Sequence, residues 1–185
     1  MKRALVFLAI CLADYGTLFP QKPVGYINAG ISLLAPWDKH SHVALLPAIT
    51  IIPGLWIQRD QEISLSLACP ASIGVTFETK VYPGIDIPVL FNVDFGSATG
   101  INKKAKIGFT LGAGAAYTHA INYYEISQPE KINFEFFGFR VNAGISFRGD
   151  LGNLVVPAIV LSFGKPFDSN DYYIAGIGIH FIIAR

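Results

Sequence analysis

The chain has 185 residues, enough for one domain, of which 52% are hydrophobic and 15% charged; the mean hydropathy is +0.45. That is too apolar for an ordinary soluble domain, and a net charge of +1 with scattered Lys and Arg offers no basic surface for nucleic acid. Two cysteines, Cys11 and Cys69, exclude a disulfide framework and a Cys-based zinc site.

The chain opens as an export signal would. Met1-Lys2-Arg3 is a short basic start, and Ala4 to Ala13 is an uncharged apolar run too short to span a bilayer. Residues 1–21 are therefore expected to be a signal peptide and 22–185 a single barrel domain. Small residues at Cys11 and Ala13 give an earlier point for cleavage, and Ile10 stands against a lipoprotein box.

From about residue 24 the hydrophobic pattern has period two, which is strand alternation. Gly25 to Leu34 sets Ile27, Ala29, Ile31 and Leu33 against Tyr26, Asn28, Gly30 and Ser32. Val43 to Ile57 is less regular and contains Pro47 and Pro53. Glu62 to Phe77 alternates Ile63, Leu65, Leu67, Cys69, Ala71, Ile73, Val75 and Phe77 with mostly Ser, Ala and Gly. Ile85 to Gly96 opposes Ile85, Ile87, Val89, Phe91, Val93 and Phe95 to Asp86, Pro88, Leu90, Asn92 and Asp94. In Lys106 to Thr118 every odd residue is apolar and every even one small or polar. Phe137 to Arg148 repeats the scheme with Arg140, Asn142 and Ser146 on the even face. Leu154 to Gly164 is apolar on both faces, and Tyr173 to Ile183 alternates weakly, with Gly176, Gly178 and His180 on its less apolar side. Turn residues separate these segments at 58–61, 97–105 and 149–153, and the longest expected connection is His119 to Asn133.

Eight such strands predict an all-β protein: an eight-stranded antiparallel up-and-down barrel. A soluble barrel turns its apolar face inward, whereas a membrane barrel turns it to lipid. Here the bulky face is almost free of charge. The glycine-rich face carries Asp86, Asp94, Lys106, Arg140 and Arg148, which are expected to line the lumen as a network of paired charges. Phe77, Tyr117, Phe163 and Tyr173 fall at one end of their strands, and Phe95, Phe109 and Phe147 at the other, as interfacial girdles do. These features predict a transmembrane barrel in the cell outer membrane. Its partners would be outer-membrane lipid and lipopolysaccharide, the insertion machinery, and an extracellular or envelope protein.

Gly84-Ile-Asp-Ile-Pro-Val-Leu-Phe-Asn-Val-Asp-Phe-Gly96, followed by Lys106-Ile-Gly-Phe-Thr-Leu-Gly-Ala-Gly-Ala-Ala-Tyr117, resembles the small outer-membrane β-barrel domain family of the PorT-like kind. Gly25-Tyr-Ile-Asn-Ala-Gly30 fits the same pattern. The resemblance implies fold and location and carries over no catalytic residue. Many such barrels finish on an aromatic residue, and Phe181-Ile-Ile-Ala-Arg185 departs from that.

Few residues offer chemistry. Asp38 with His40-Ser41-His42 contains the residue types of an acyl-transfer triad, but neighbours on one loop rarely reach its geometry. The same histidines lack the Cys or carboxylate company of a metal site. His119 reads as an interfacial residue and His180 as a lumen filler. Gly108-x-x-x-Gly112-x-Gly114 sits in a strand without the Lys-Ser/Thr of a phosphate loop. The expectation is a non-enzymatic barrel without cofactor or metal, with a structural or surface-interaction role and a lumen plugged by paired charges; the alternatives are a small channel or transport/secretion accessory and, behind it, a lipid A-modifying enzyme. The segment Thr118 to Asn133, with Tyr123, Tyr124, Glu125, Glu130 and Lys131, should be an outer loop and the main contact surface, because the long loops of such barrels face outward.

Overall fold

The computed structural model describes residues 22–39, 43–77, 81–99, 101–102, 104–125, 129–148, 155–168 and 172–183. The expected signal peptide and His40-Ser41-His42 lie outside them. Nine strands appear in order: β1 (Val24–Asp38), β2 (Leu46–Arg59), β3 (Ile63–Ala68), β4 (Ala71–Phe77), β5 (Val81–Gly96), β6 (Ile107–Glu125), β7 (Pro129–Phe147), β8 (Val155–Pro166) and β9 (Tyr172–Ile183). A short 3-10 turn, η1 (Ser97–Thr99), follows β5.

All pairings are antiparallel, and β1 pairs with both β2 and β9, so the sheet closes on itself. β3 and β4 share one place in the wall, each lying between β2 and β5. The ring therefore has eight places, an eight-stranded antiparallel transmembrane barrel. Closure gives each wall strand two neighbours, which leaves no sheet edge open to lipid.

One parity runs through the whole wall. Apart from Val24 at the start of β1, every large exposed hydrophobic residue is odd-numbered, and the buried strand residues are even-numbered. Successive side chains of a strand point to opposite faces, so the odd residues form the outer surface and the even ones the lumen. Phe91, Phe109, Leu111, Phe139, Ile145, Leu161 and Ile177 all stand outside at 40% exposure or more, which water would not tolerate and lipid requires. From Ile107 to Tyr117 this face on β6 spans roughly 25 Å of barrel height at 3.3 Å per residue and 40° tilt.

Aromatic rings mark both margins of the band. At one end Trp37 stacks on Tyr173 at 5.6 Å, with Phe163 6.2 Å from each. Lys165 lies over the Tyr173 ring at 5.8 Å, and the Tyr117 hydroxyl donates to Glu135 at 3.0 Å, so polar groups begin at this level. At the other end Phe95 pairs with Phe109, and Phe147 with Ile107.

Proline explains where the wall departs from regular strands. The expected single strand from Glu62 to Phe77 divides into β3 and β4 at Cys69–Pro70. Proline has no N–H for the ladder. The chain makes a tight step there, with Cys69 N donating to Pro53 O at 2.9 Å and Ala71 N to Cys69 O at 2.8 Å. Pro47 and Pro53 remain within β2, opposite Leu33 and Ile27 of β1, on the outward parity. A register shift between Trp56 and Gln58 ends the regular part of β2.

The segment His119 to Asn133 corrects the expected loop. β6 continues to Glu125 and β7 begins at Pro129, with Tyr123 opposite Lys131 and Tyr124 opposite Glu130. Backbone pairing depends on hydrogen bonds and not on apolar character, so the ladder persists where hydrophobic alternation fades. β5 pairs with β6 only as far as His119, and β8 with β7 only from Gly138. The β6–β7 ladder therefore runs six pairs, from Ala120–Phe134 to Glu125–Pro129, past the residues that pair with β5 and β8; Ala120 and Phe134 are still buried in the lumen, and the two-stranded projection lies beyond them.

Candidate functional site: the lumen and the projecting hairpin

The inward residues of β6 give the lumen level by level. At the turn end, Gly108 admits η1: a Cβ there would lie 2.3 Å from Ala98 N. Gly96 turns the chain into η1 with φ of 59°, the left-handed region that glycine tolerates. Ser97, Ala98 and Thr99 are buried and touch β5, β6, β7 and β8, so the turn crosses the mouth of the barrel. Ser97 and Ser146 hydroxyls lie 2.8 Å apart, and Thr99 Oγ1 donates to Gly96 O at 3.0 Å.

One level up, Thr110 donates to Asp94 Oδ1 at 2.7 Å and Ser66 donates to Asp94 Oδ2 at 3.3 Å. Tyr26 donates to Ser66 at 3.4 Å and leans on Trp56, ring centroids 4.9 Å apart. Above this, Gly112 lies between Asn92 of β5 and Asn142 of β7 in register. The next polar level joins Thr118, Asp86 and Arg140. Thr118 donates to Asp86 Oδ1 at 2.6 Å, Arg140 Nη2 donates to Thr118 Oγ1 at 3.1 Å, and the same nitrogen forms an ion pair with Asp86. Ser32, Thr50 and Ser72 continue the polar wall, with Oγ–Oγ1 separations of 2.7 and 2.9 Å.

Toward the hairpin the lumen turns apolar. Leu34, Leu46 and Ile174 form one buried cluster and Ala44, Ala120 and Phe134 another, with Tyr172 packed against both. Two small cavities of about 40 and 60 Å³ interrupt the packing, and both are bordered by Pro70, Asn142, Val160 and His180.

Of the five expected lumen charges, Asp86, Asp94, Arg140 and Arg148 are buried. Asp86 and Arg140 meet, whereas Asp94 accepts from hydroxyls only. Arg148 follows β7, and its N–H donates to Lys106 O at 2.8 Å. Lys106 is a correction: it is exposed and precedes the first residue of β6. Pleat parity fixes direction only inside a ladder, and at the turn the ammonium reaches water instead. His180 borders both lumen cavities. Outward-facing His119 has Nδ1 3.9 Å from Glu135 Oε2 at the polar margin. Tyr123, Tyr124, Glu125, Glu130 and Lys131 belong to the projecting hairpin and not to a loop. Sequence reasoning missed η1 as a lumen element; the signal was Gly96 followed by the small residues Ser97, Ala98 and Thr99. Among the described residues no group of three or more His, Cys, Asp or Glu could hold a metal ion.

No family model matches the sequence, and no curated protein matches it. Solved structures do match. The chain is similar to Neisserial surface protein A, with a TM-score of 0.59 and 11% identity over 89% of this chain and 100% of that one. It is also similar to Ail, the attachment invasion locus protein of Yersinia pestis, with a TM-score of 0.56 and 11% identity over 85% of this chain and 95% of that one. Ail in complex with the heparin analogue sucrose octasulfate matches with a TM-score of 0.56 and 10% identity over 87% and 97%. At such identities the likeness concerns the fold, which is that of the small outer-membrane β-barrels.

Proposed function

We propose that this protein is a non-enzymatic resident of the cell outer membrane whose lumen is sealed and whose work is done by its outer surface, chiefly the β6–β7 hairpin. The observation that carries the reading is the contrast between the two ends of β6. At one end Gly108 receives η1 into the barrel mouth, and at the other the ladder runs six pairs beyond its neighbours. Between them two small cavities of about 40 and 60 Å³ interrupt the packing. An eight-stranded ring has a narrow bore, and side chains of this size fill it.

The odd-numbered face would be solvated by outer-membrane lipid and lipopolysaccharide, and the hairpin would meet an extracellular or envelope protein. With a periplasmic N-terminus, the hairpin projects outward, since it joins the fifth and sixth places of the ring. The surface and attachment proteins with this fold support the same direction. The PorT-like resemblance of residues 84–96 and 106–117 is compatible with that location and adds no site.

Two measurements test the reading. An epitope inserted at residues 126–128 should be reached by antibody on intact cells while the barrel still folds; labelling only after the outer membrane is permeabilised would reverse the orientation. Purified protein in planar bilayers should give no unitary conductance. Regular single-channel steps would instead make it a small channel.

A further inference from the structure

We propose that the turn-end half of the lumen contains a site for one monovalent metal cation, formed by Asn92 Oδ1, Asn142 Oδ1 and the carboxylate of Asp94. The two buried carboxylates of the lumen are matched unequally. Asp86 is matched by Arg140. Asp94 is as deeply buried, yet its hydrogen bonds come from the neutral hydroxyls of Thr110 and Ser66. Among the described residues no Lys, Arg or His nitrogen lies within ion-pair distance of it. Hydroxyl dipoles orient a carboxylate without cancelling its charge, so a buried carboxylate either holds a proton or takes a counter-charge.

The oxygens beside it point to what supplies that charge. Asn92 is 6% exposed, and its Oδ1, like Asn142 Oδ1, is buried with no hydrogen-bond donor. Both oxygens lie 2.0 Å from the position that a Cβ on Gly112 would take, so they are no more than 4 Å apart. Two acceptor oxygens so placed repel each other unless a cation stands between them or one amide turns its N–H toward the other. Gly112 is what allows the approach, since any side chain there would occupy the space of the ligands. Asp94 lies two residues from Asn92 on the same face of β5, and the cavity of about 60 Å³ that adjoins Asn92, Asp94 and Asn142 has room for an ion and its water.

The donor set selects the ion. All three ligands are oxygen, which suits a hard cation and not a soft one. One carboxylate balances one positive charge; a divalent ion would leave a net charge in a low-dielectric lumen. The site would tie β5 to β7 across β6, which makes it a structural counter-ion and independent of any surface partner.

The test measures urea unfolding of the full-length barrel in micelles at fixed ionic strength, replacing N-methyl-D-glucamine chloride with sodium or potassium chloride. A site present only in the folded state makes the midpoint rise with the logarithm of cation concentration. Asp94→Asn should abolish that dependence. Asn92→Ala should move it to at least tenfold higher concentration, and Asp60→Asn, in a turn, should leave it unchanged. Crystals soaked in a thallous salt should show anomalous density between Asn92 and Asn142. A wild-type midpoint indifferent to the cation would overturn the proposal, as would a dependence that Asp94→Asn retains. So would an atomic-resolution structure in which one amide has turned to donate to the other with no ion present. None of these outcomes touches the surface reading, which rests on epitope access and conductance.

Discussion

Among single residues, Arg140 carries the most polar burial of the lumen on one side chain. Its guanidinium is buried, holds Asp86 and Thr118 through Nη2, and leaves Nε and Nη1 without hydrogen-bond partners. Removing it strands the Asp86 carboxylate. Arg140→Ala should therefore cost about 3 to 5 kcal/mol in urea unfolding, whereas Arg59→Ala, at the end of β2 over the Trp56 ring, should cost about 1 kcal/mol or less. Equal losses would show that the pair contributes little. Glycine makes a similar contrast. A Cβ on Gly114 would lie 1.9 Å from Val89 O, while one on Gly25 meets nothing within 4 Å. Gly114→Ala should destabilise the barrel by about 1 to 3 kcal/mol and Gly25→Ala by no more than about 0.5 kcal/mol. The meeting of Arg140 with a carboxylate could be anticipated from parity alone, since both sit at even positions. Which carboxylate it meets could not, because that depends on how the strands are staggered. Asp86 is opposite Thr118, whereas Asp94 is opposite Thr110.

At the scale of the element, the β6–β7 hairpin carries its own ladder beyond the ring. Among the described residues, no third strand pairs with its outermost pairs, Asn122–Ile132 to Glu125–Pro129. Replacing residues 123–130 by an Asn-Gly turn should therefore leave the barrel folded, with its heat-modifiable gel mobility intact and the surface epitope lost. Unfolding of this variant at ambient temperature would show that the hairpin supports the ring. The hairpin was hard to read in the sequence. Period two is conspicuous from Ile107 to Tyr117 because lipid demands apolar residues on one face, and beyond His119 that demand ends while the pairing does not. The break at Pro70 was visible as a proline within an alternating run. The alternation of Ile63, Leu65, Leu67, Ile73 and Val75 nonetheless keeps one parity across it, so the run read as a single strand.

For the whole molecule, closure should keep the fold intact in detergent. Every strand of the ring has a partner on both sides, so micelles can replace lipid without opening a hydrogen-bonded edge. The unheated protein should migrate faster than the boiled protein on gels and give a β-type circular dichroism spectrum. A monomeric, detergent-free soluble form would contradict the outward apolar face. That face was legible from the sequence because one parity persists through the chain. The interior was less so. The sequence pointed to small residues and paired charges as the filling, with Val156 and Ile174 apolar at inward positions; Leu34, Leu46 and Phe134 join them there. Inside a ring this narrow, opposing walls pack directly, and apolar side chains can fill the space as polar ones do.

The seam where β1 meets β9 joins the first and last of the described strands, pairing Ala29 with Phe181 and Asp38 with Tyr172, whereas β6 and β7 pair nineteen residues deep with three residues between them. Loop closure costs more entropy as the loop grows, so local pairs form early and distant ones late. Assembly should then begin at the long hairpin and finish at the seam. In refolding from urea into micelles, Gly30→Ala at the seam, whose Cβ would lie 2.5 Å from Ile179 O, should chiefly accelerate unfolding. Ala116→Gly, buried on β6 opposite Gly138, should chiefly slow folding. The reverse assignment of the two rates would mean that the barrel closes before its central hairpin is formed.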